Sequence, residues 1–243
     1  MSGEGFTLDG FLGGRLTLAQ PKRGFRAGHD TVLLAAAVPA EQDSHVLELG
    51  AGVGVASLCL AARVTGVRVL GIEIDPAAVQ LARENARRNA MEERVRFEAG
   101  EAASLSLRAE AFDHVFFNPP FHPATGQDSP NAGRALAMRD SAGAPEEWTR
   151  IALALAKPGG TVTAILRADR ANGMIAAAGT NGAVLFPLFP RAGEAPKRAI
   201  VQIAKDGREA LRVAAGLILH EGDGRNTEAA EAVLRHGAAL TLV

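Results

Sequence analysis

Strand-like runs alternate with helix-like segments through most of the chain. Val67–Ile74 and Ala111–Phe117 are apolar runs too short for a buried helix, and each is followed by a polar residue and proline. The segment 76–90 reads as a helix, and Arg94–Ala99 reads as a further strand. Such alternation is typical of a mostly parallel sheet with helices on its faces, so the pattern predicts an α/β fold.

The same alternation continues toward the end of the chain. Strands are expected at 160–166, about 183–189 and 198–204, with helices at 146–156 and 227–236. Lys157-Pro-Gly-Gly160 is expected to end the first of these helices, because proline and two glycines interrupt it.

The first forty residues carry a different pattern. Gly13-Gly14 lies between two apolar pairs, which predicts a hairpin. A short helix is expected to begin at Asp30 or Thr31 and to end before Pro39. We therefore expect an N-terminal addition of hairpin and short helix at 1–40, followed by one large domain at 41–243.

Three glycines at alternate positions, Gly50, Gly52 and Gly54, follow the short apolar strand that ends at Leu49. Glycine permits positive φ and a close approach of ligand to backbone, and the amides that open the next helix face such a ligand. The dinucleotide fingerprint G-x-G-x-x-G would need its third glycine where Val55 stands. A nicotinamide cofactor is therefore disfavoured, and a turn without any ligand remains an alternative.

Two acidic residues end the next strand, and they differ in their expected roles. Asp75 precedes Pro76, which is the pattern of a helix N-cap followed by proline in the first turn. Glu73 lies 23 residues after Gly50, close to the spacing at which an acid accepts the ribose hydroxyls of a bound nucleoside. A surface role without a ligand is the alternative for Glu73.

The segment Asn118-Pro119-Pro120-Phe121 follows another strand directly. Each proline holds the preceding residue extended, and neither proline can donate to a sheet. The result is a stiff projection at a strand's carboxyl end, where open α/β sheets bind their ligands. It offers one side-chain amide, one carbonyl and one aromatic face; packing of Phe121 in the core is the alternative.

Composition and charge exclude several classes of protein. The chain is 47% hydrophobic and 22% charged with a net charge of −1, so no overall field favours nucleic acid or membrane. The single cysteine, Cys59, is expected to be a small core residue in a reducing, cytoplasmic setting. No secretory signal, membrane span or metal site is expected. A nucleic-acid partner would need a local basic patch, for which Lys22, Arg23 and Arg26 are the densest candidates.

With the motif Glu48-x-Gly50-x-Gly52-x-Gly54, then Glu73 and the Asn-Pro-Pro-Phe segment in this order, the chain resembles class I S-adenosylmethionine-dependent amino-methyltransferases. It is most similar to the bacterial tRNA(1)(Val) adenine-N6 methyltransferase group. Further support comes from Phe25–Leu34, Lys157–Gly160 and Leu217–Gly224. The resemblance implies a Rossmann-like fold with a seven-stranded sheet of order 3-2-1-4-5-7-6 and one reversed edge strand.

The resemblance also assigns roles to individual residues. The resemblance implies S-adenosyl-L-methionine as the cofactor and RNA, specifically tRNA, as the partner. The oligomeric state is left open. The implied cofactor residues are Glu48, Gly50, Ala51, Gly52, Gly54, Glu73, Ile74, Glu101, Ala102 and Asn118. Asn118, Pro119, Pro120 and Phe121 would hold the base to be methylated, while Lys22, Arg23, Arg26, Arg134 and Arg139 are candidates for RNA contact.

The sequence indicates the type of reaction more specifically than it indicates the molecule that is methylated. Asn-Pro-Pro followed by an aromatic residue occurs both in adenine methyltransferases and in enzymes that methylate a glutamine side-chain amide. A protein glutamine is therefore an alternative substrate, and a non-enzymatic protein that keeps the cofactor pocket is a third possibility. The third is disfavoured because a pure binding protein has no use for the acceptor segment.

Overall fold

The structure is a computed structural model that describes residues 5–24, 26–101, 107–119 and 145–242. Its strands are β1 (Phe6–Phe11), β2 (Leu16–Pro21), β3 (His45–Leu49), β4 (Arg68–Glu73), β5 (Val95–Ala99), β6 (Phe112–Phe117), β7 (Ala156–Arg167), β8 (Gly182–Phe189), β9 (Arg198–Ala204), β10 (Arg212–Val213) and β11 (Leu217–Ile218). Its helices are α1 (His29–Ala37), α2 (Val55–Arg63), α3 (Pro76–Arg88), α4 (Pro145–Leu155), α5 (Ala171–Ala178) and α6 (Glu228–Leu234).

The main sheet runs in the order β10-β8-β9-β7-β6-β3-β4-β5, and β11 also pairs with β8. Strands β3 to β7 are parallel neighbours, whereas β9 is antiparallel to both β7 and β8. Counted within the domain, the seven long strands β3 to β9 read 3-2-1-4-5-7-6. The α/β class predicted from the sequence is confirmed.

Two details of the expected sheet are wrong. The reversed strand β9 lies between β7 and β8 and not at an edge, and the described sheet holds nine strands because the two-residue β10 and β11 extend it. Lys157-Pro-Gly-Gly160 does not separate α4 from the next strand, since β7 begins at Ala156 and includes it. Gly159 takes φ +75 there, and the pairing of β6 with β7 shifts register opposite this segment.

The central strands are buried on both faces, as parallel strands covered by helices must be. Phe116 and Phe117 show the alternation: both are fully buried, but they join two separate apolar clusters on opposite faces of the sheet. Helices α1, α2, α3 and α6 cover the first face, while α4 and α5 cover the second. Cys59 is a buried free thiol in α2, as expected. None of the described helices is long and apolar enough to cross a membrane.

The N-terminal hairpin packs along α3. Strands β1 and β2 pair from Phe6 with Pro21 to Phe11 with Leu16, joined by a short 3₁₀ turn at Leu12–Gly14. The outer edge of β2 is not left open, because two asparagine side chains of α3 bond its backbone as a neighbouring strand would. The division into 1–40 and 41–243 remains a prediction.

Candidate functional site

The register of the central strands brings the predicted site residues to one edge of the sheet. Leu49 of β3 pairs with Phe117 of β6 on one side and with Ile72 of β4 on the other. The next residues along these strands are Gly50, Asn118 and Glu73, so all three lie side by side at the carboxyl edge. Because neighbouring strands are about 4.8 Å apart, the row spans roughly 10 Å.

The glycine turn is built as its sequence predicts. Gly50, Gly52 and Gly54 have φ of 69°, 54° and 84°, a region that disfavours residues with a Cβ. The turn is closed by two backbone bonds, from Ala51 to the Ile72 carbonyl and from Gly54 to the Ala51 carbonyl, both 2.9 Å. Gly54 is the N-cap of α2 and has no side chain to act as a cap. Glu48 accepts the Ser57 amide, so the Val55 and Ala56 amides are the ones of this first turn left for a ligand.

The three glycines differ in what surrounds them. A Cβ on Gly50 would lie 2.8 Å from the Trp148 ring, and a Cβ on Gly54 would lie 2.5 Å from the Phe97 ring. A Cβ on Gly52 would meet no atom of the described residues within 4 Å. The first and third glycines are therefore required by packing within the protein, while Gly52 faces open space where a ligand would lie.

Sequence reasoning missed Phe97 and Trp148. Phe97 of β5 is buried beneath the turn, where its ring also excludes a Cβ from Gly71. Trp148 of α4 supports Gly50, and its ring lies 5.5 Å from that of Phe117. For Trp148, the sequence offers only the fact that it is the single tryptophan of the chain, and this does not indicate where the side chain packs.

Glu48, predicted to hold the cofactor, is buried and supports the turn. It is 4% exposed, and one carboxylate oxygen accepts hydrogen bonds from both the amide and the hydroxyl of Ser57 in α2. Burial raises the pKa of Glu48 to about 8; the bonds from Ser57 oppose that rise and the nearby Glu73 charge adds to it. A direct contact between Glu48 and the cofactor remains a prediction.

This burial predicts a pH dependence of stability. Because the folded pKa lies above the ordinary carboxyl value of 4.5, the folded chain binds the Glu48 proton more tightly than the unfolded chain between these values. The stabilisation is complete below about pH 4.5 and is lost as the pH rises toward 8, by at most about 1.4 kcal/mol per pH unit. Glu48→Gln should remove this decline in the free energy of unfolding, measured by urea denaturation from pH 5 to 8. Parallel declines in both proteins would contradict the assignment.

Glu73, the predicted ribose acceptor, ends β4 beside the glycine turn. Its two oxygens accept backbone N–H groups of Gly52 at 2.8 Å and Asp75 at 3.0 Å. Since a carboxylate has about four acceptor positions, each oxygen keeps one for a ligand. Asp75 is the N-cap of α3 and accepts from Ala77 at 2.9 Å, with Pro76 in the first turn, so its predicted capping role is confirmed.

The predicted adenine region follows the neighbouring strand. Gly100 donates its N–H to the Glu73 carbonyl at 2.9 Å, which places Glu101 one residue beyond the row at the carboxyl edge. Ile74 is 42% exposed, an apolar surface next to the ribose candidate. Ala102 lies outside the described residues, and the contacts of Glu101 and Ile74 with a cofactor remain predictions.

Asn118 carries an unusual buried atom. Its side-chain oxygen is shielded from solvent and accepts no hydrogen bond from the described residues, whereas buried polar atoms in proteins are nearly always paired. Pro119, which follows it, is buried. An unmet acceptor at the end of β6 suits a ligand that brings a donor. Pro120 and Phe121 of the same segment lie outside the described residues.

The basic cluster divides into two parts. The Arg26 guanidinium is already engaged: it bonds Asp9 at 2.6 Å, the Thr7 hydroxyl at 2.9 Å and the Pro21 carbonyl at 2.9 Å. It thus clamps the end of the hairpin. Lys22 and Arg23 are exposed and form no ion pair within the described part of the chain. Arg134 and Arg139 lie outside the described residues.

A separate groove of about 680 Å³ lies among the opposite ends of the same strands. His45, Arg68 and Phe112, which begin β3, β4 and β6, are among its lining residues. It therefore opens away from the glycine turn, Glu73 and Asn118. Its position gives it no part in chemistry at the carboxyl edge.

Comparison with known proteins agrees with this geometry. A family model described as "Methyltransferase small domain" matches residues 26–141. A protein of Actinobacillus succinogenes named tRNA1(Val) (adenine(37)-N6)-methyltransferase is 28% identical over 210 residues, 86% of each chain. A protein of the same name from Porphyromonas gingivalis is 33% identical over 164 residues, 64% of each chain.

Solved structures agree as well. The crystal structure of a predicted O-methyltransferase from Agrobacterium tumefaciens has a TM-score of 0.74 and 27% sequence identity, and the match covers 87% of this chain and 98% of that one. A geranyl diphosphate C-methyltransferase from Streptomyces coelicolor, solved with S-adenosyl-L-homocysteine, has a TM-score of 0.52 at 13% identity, covering 74% of this chain and 77% of that one. The second likeness concerns the fold alone.

Proposed function

We propose that this chain, an S-adenosylmethionine-dependent methyltransferase by its similarity to the proteins named above, methylates the exocyclic N6 amine of an adenine in tRNA. The enzyme class and its cofactor, S-adenosyl-L-methionine, follow from the family and from its structural neighbours. The acceptor is supported by the relatives that carry that name and by the amide at the end of β6.

The observation that carries the proposal is the unpaired Asn118 oxygen. Leaving a buried acceptor unmet costs about 1–3 kcal/mol, so its persistence indicates that a donor arrives with the substrate. An exocyclic amine brings two N–H donors to that point. A hydroxyl group, which an O-methyltransferase methylates, would bring only one donor. That donor is carried by the same oxygen that must receive the methyl group.

The described residues fit the cofactor. Gly52 opens onto free space beside a helix N-terminus, and Glu73 retains acceptor positions on both oxygens for a ribose diol. The same Glu73 carboxylate fixes the Gly52 amide, so the turn and the ribose acceptor are held together as one unit.

The chemistry depends on how the chain holds the acceptor nitrogen. The cofactor supplies a methyl group bonded to a positively charged sulfur. The Asn118 oxygen and the Pro119 carbonyl would each accept one amine hydrogen, which draws the nitrogen lone pair out of conjugation with the ring. The nitrogen becomes acidic only as it gains the methyl group, so its proton passes to water without a strong base. Alignment of the reacting groups in this way can lower the activation free energy by up to about 7–11 kcal/mol.

An unpaired base suits this site better than a paired one. Turning a stacked or paired base out of an RNA helix costs a few kcal/mol. Stacking on an aromatic face returns about 1–3 kcal/mol per base. A loop nucleotide of tRNA is thus favoured as substrate over a base in a stem. A tRNA substrate also suits the reducing cytoplasmic setting expected from the free Cys59.

Replacing the ribose acceptor should weaken cofactor binding. Glu73→Ala removes the acceptor for the ribose and also the partner of the Gly52 amide, and we expect a loss of about 1–3 kcal/mol in affinity. Asp75→Asn is the control, since asparagine caps a helix as aspartate does and keeps the backbone bond to Glu73, while the Asp75 side chain bonds Ala77 in the first turn of α3. Titration calorimetry with S-adenosylmethionine gives the answer, and equal affinities in the two folded variants would refute the ribose assignment.

The free cations of the hairpin should contact phosphates. Changing Lys22 and Arg23 together to alanine should reduce the slope of log affinity for tRNA against log salt by about 0.7–0.9 for each contact. The matched control replaces Arg87 and Arg88, which are exposed at the far end of α3, with the same change in net charge. Similar slopes in the two double variants would mean that Lys22 and Arg23 form a solvated loop.

A protein glutamine amide is the second candidate acceptor. It too presents a planar NH₂ group to the Asn118 oxygen, and a net charge of −1 gives the chain no general attraction to RNA. Incubation with labelled S-adenosylmethionine and either total RNA or total protein separates the two. Label that is released by nuclease supports the tRNA proposal, and label released only by protease supports the alternative.

A further inference from the structure

The N-terminal hairpin reaches the same edge of the sheet as the site. Its strand β2 runs against α3 so that Thr17 bonds Asn89 and Ala19 bonds Asn85. Following β2 onward therefore leads toward the start of α3, which lies just after Glu73. At about 3.3 Å per residue, Lys22 is roughly 10 Å beyond Ala19 in that direction. The open end of the hairpin thus stands beside the glycine turn.

An exposed aromatic ring lies at this open end. Phe6 pairs with Pro21, is 52% exposed, and is the sole aromatic residue among the large exposed apolar residues of the described chain. Leu8, on the same face of β1, is 59% exposed. The backbone N–H of Lys22 bonds the carbonyl of Gly5, next to Phe6, so the exposed ring and a lysine without an ion pair among the described residues belong to the same end of the hairpin.

We infer that Phe6, with Lys22 and Arg23, forms a second nucleobase platform that stacks an unpaired base of the RNA near the one being methylated. An exposed ring flanked by cations is the combination that binds single-stranded RNA. Every nucleotide offers a base that can stack on the ring and a phosphate that can pair with a cation. The inference rests on the proposed tRNA substrate and extends it to a second contact.

The test compares three variants for binding to an unmodified tRNA transcript. Phe6→Ala should weaken binding by about 5- to 100-fold, while Phe6→Trp should retain it. Val213→Ala is the control, because Val213 is 63% exposed in β10 at the other end of the sheet. Cofactor affinity and melting temperature should be unchanged in all three.

The outcomes distinguish a failure of the proposed platform from a failure of the proposed function. If Phe6→Ala binds tRNA as Val213→Ala does, or if Phe6→Trp fails to restore binding, the platform is refuted while methylation of tRNA by the wild type stands. If the wild-type protein neither binds nor methylates tRNA, the proposed function fails and the platform fails with it.

A different observation concerns the support of the cofactor turn. Asn85 of α3 is fully buried, and its side chain bonds the Ala19 amide at 2.7 Å, the Ala19 carbonyl at 3.0 Å and the Val53 carbonyl at 3.0 Å. Val53 lies between Gly52 and Gly54. One side chain therefore joins the hairpin directly to the turn.

The structure assigns Asn85 as a positioning residue for the cofactor turn, acting through Val53. Asn89, one helical turn later, makes the same pair of bonds to the Thr17 backbone but none to the glycine turn. The two asparagines thus share the task of holding β2, and only Asn85 also holds the cofactor loop. This difference separates positioning from general stability.

Asn85→Ala and Asn89→Ala should both lower the melting temperature, because each leaves backbone groups of β2 unpaired. Only Asn85→Ala should also raise the KM for S-adenosylmethionine, by about 3- to 10-fold, with kcat at saturating cofactor changed less than threefold. If Asn85→Ala does not fold, Asn85→Asp keeps the acceptor for the Ala19 amide and removes the donor to the Val53 and Ala19 carbonyls. A cofactor KM in the folded Asn85 variant equal to that of Asn89→Ala would overturn the assignment.

Discussion

Asn118→Ala should lower the rate of methyl transfer by about 10²–10³, because loss of one preorganised polar partner of the reacting group typically has this effect. The side-chain oxygen is buried and unpaired among the described residues, so loss of that atom breaks no hydrogen bond there. Cofactor affinity should change little by comparison. The measurement is single-turnover transfer at saturating cofactor and acceptor, which excludes binding and product release from the rate.

The neighbouring aromatic residue provides the contrast. Phe121→Ala should mainly weaken substrate binding through lost stacking, and Phe121→Tyr or Phe121→Trp should retain activity. Because Asn118 and Phe121 would hold the same base, their effects need not add. A folded Asn118→Ala protein that transfers methyl at the wild-type rate would mean that the segment is structural.

Gly54→Ala should destabilise the fold by about 2–5 kcal/mol. Its φ of +84 costs an L-residue about 1–2 kcal/mol, and a Cβ there would lie 2.5 Å from the Phe97 ring. That ring is confined, since it is buried and also fills the space beside Gly71. Overpacking therefore adds about 1–3 kcal/mol to the backbone strain.

Gly52→Ala should show the opposite balance. It carries the strain of a positive φ but has open space beside it, so the stability loss should be close to 1 kcal/mol. The added methyl group would occupy the space expected for the cofactor. The affinity for S-adenosylmethionine should therefore fall by more than the small loss of stability explains. Urea denaturation and calorimetry on both variants check this, and a larger stability loss in Gly52→Ala than in Gly54→Ala would contradict it.

Local signals explain most of what was predictable. The glycine turn and the Asp75 cap depend on residues within a few positions of one another, and Glu73 was located by its spacing of 23 residues from Gly50. The order of the parallel strands follows from their alternation with helices together with the family resemblance. Helix α5 was missed because Ala171–Ala178 contains an internal glycine and few residues that contrast apolar and polar faces.

Contacts between distant residues could not be predicted in this way. Asn85 and Asn89 meet β2 across 66 and 72 residues of chain, and in the sequence they look like ordinary polar residues of a helix. Phe97 packs beneath a turn more than forty residues earlier, and Arg26 forms an ion pair with Asp9 across 17 residues of chain. Each depends on the tertiary arrangement, which no local pattern encodes.

The most direct test of the proposed function is to identify the methylated product. An unmodified tRNA mixture is incubated with the protein and S-adenosylmethionine, digested to nucleosides and analysed by mass spectrometry. The account predicts N6-methyladenosine, formed by the wild-type protein and nearly absent with Asn118→Ala. Methylation at another nucleoside position, or methyl transfer to protein with none to tRNA, would contradict it.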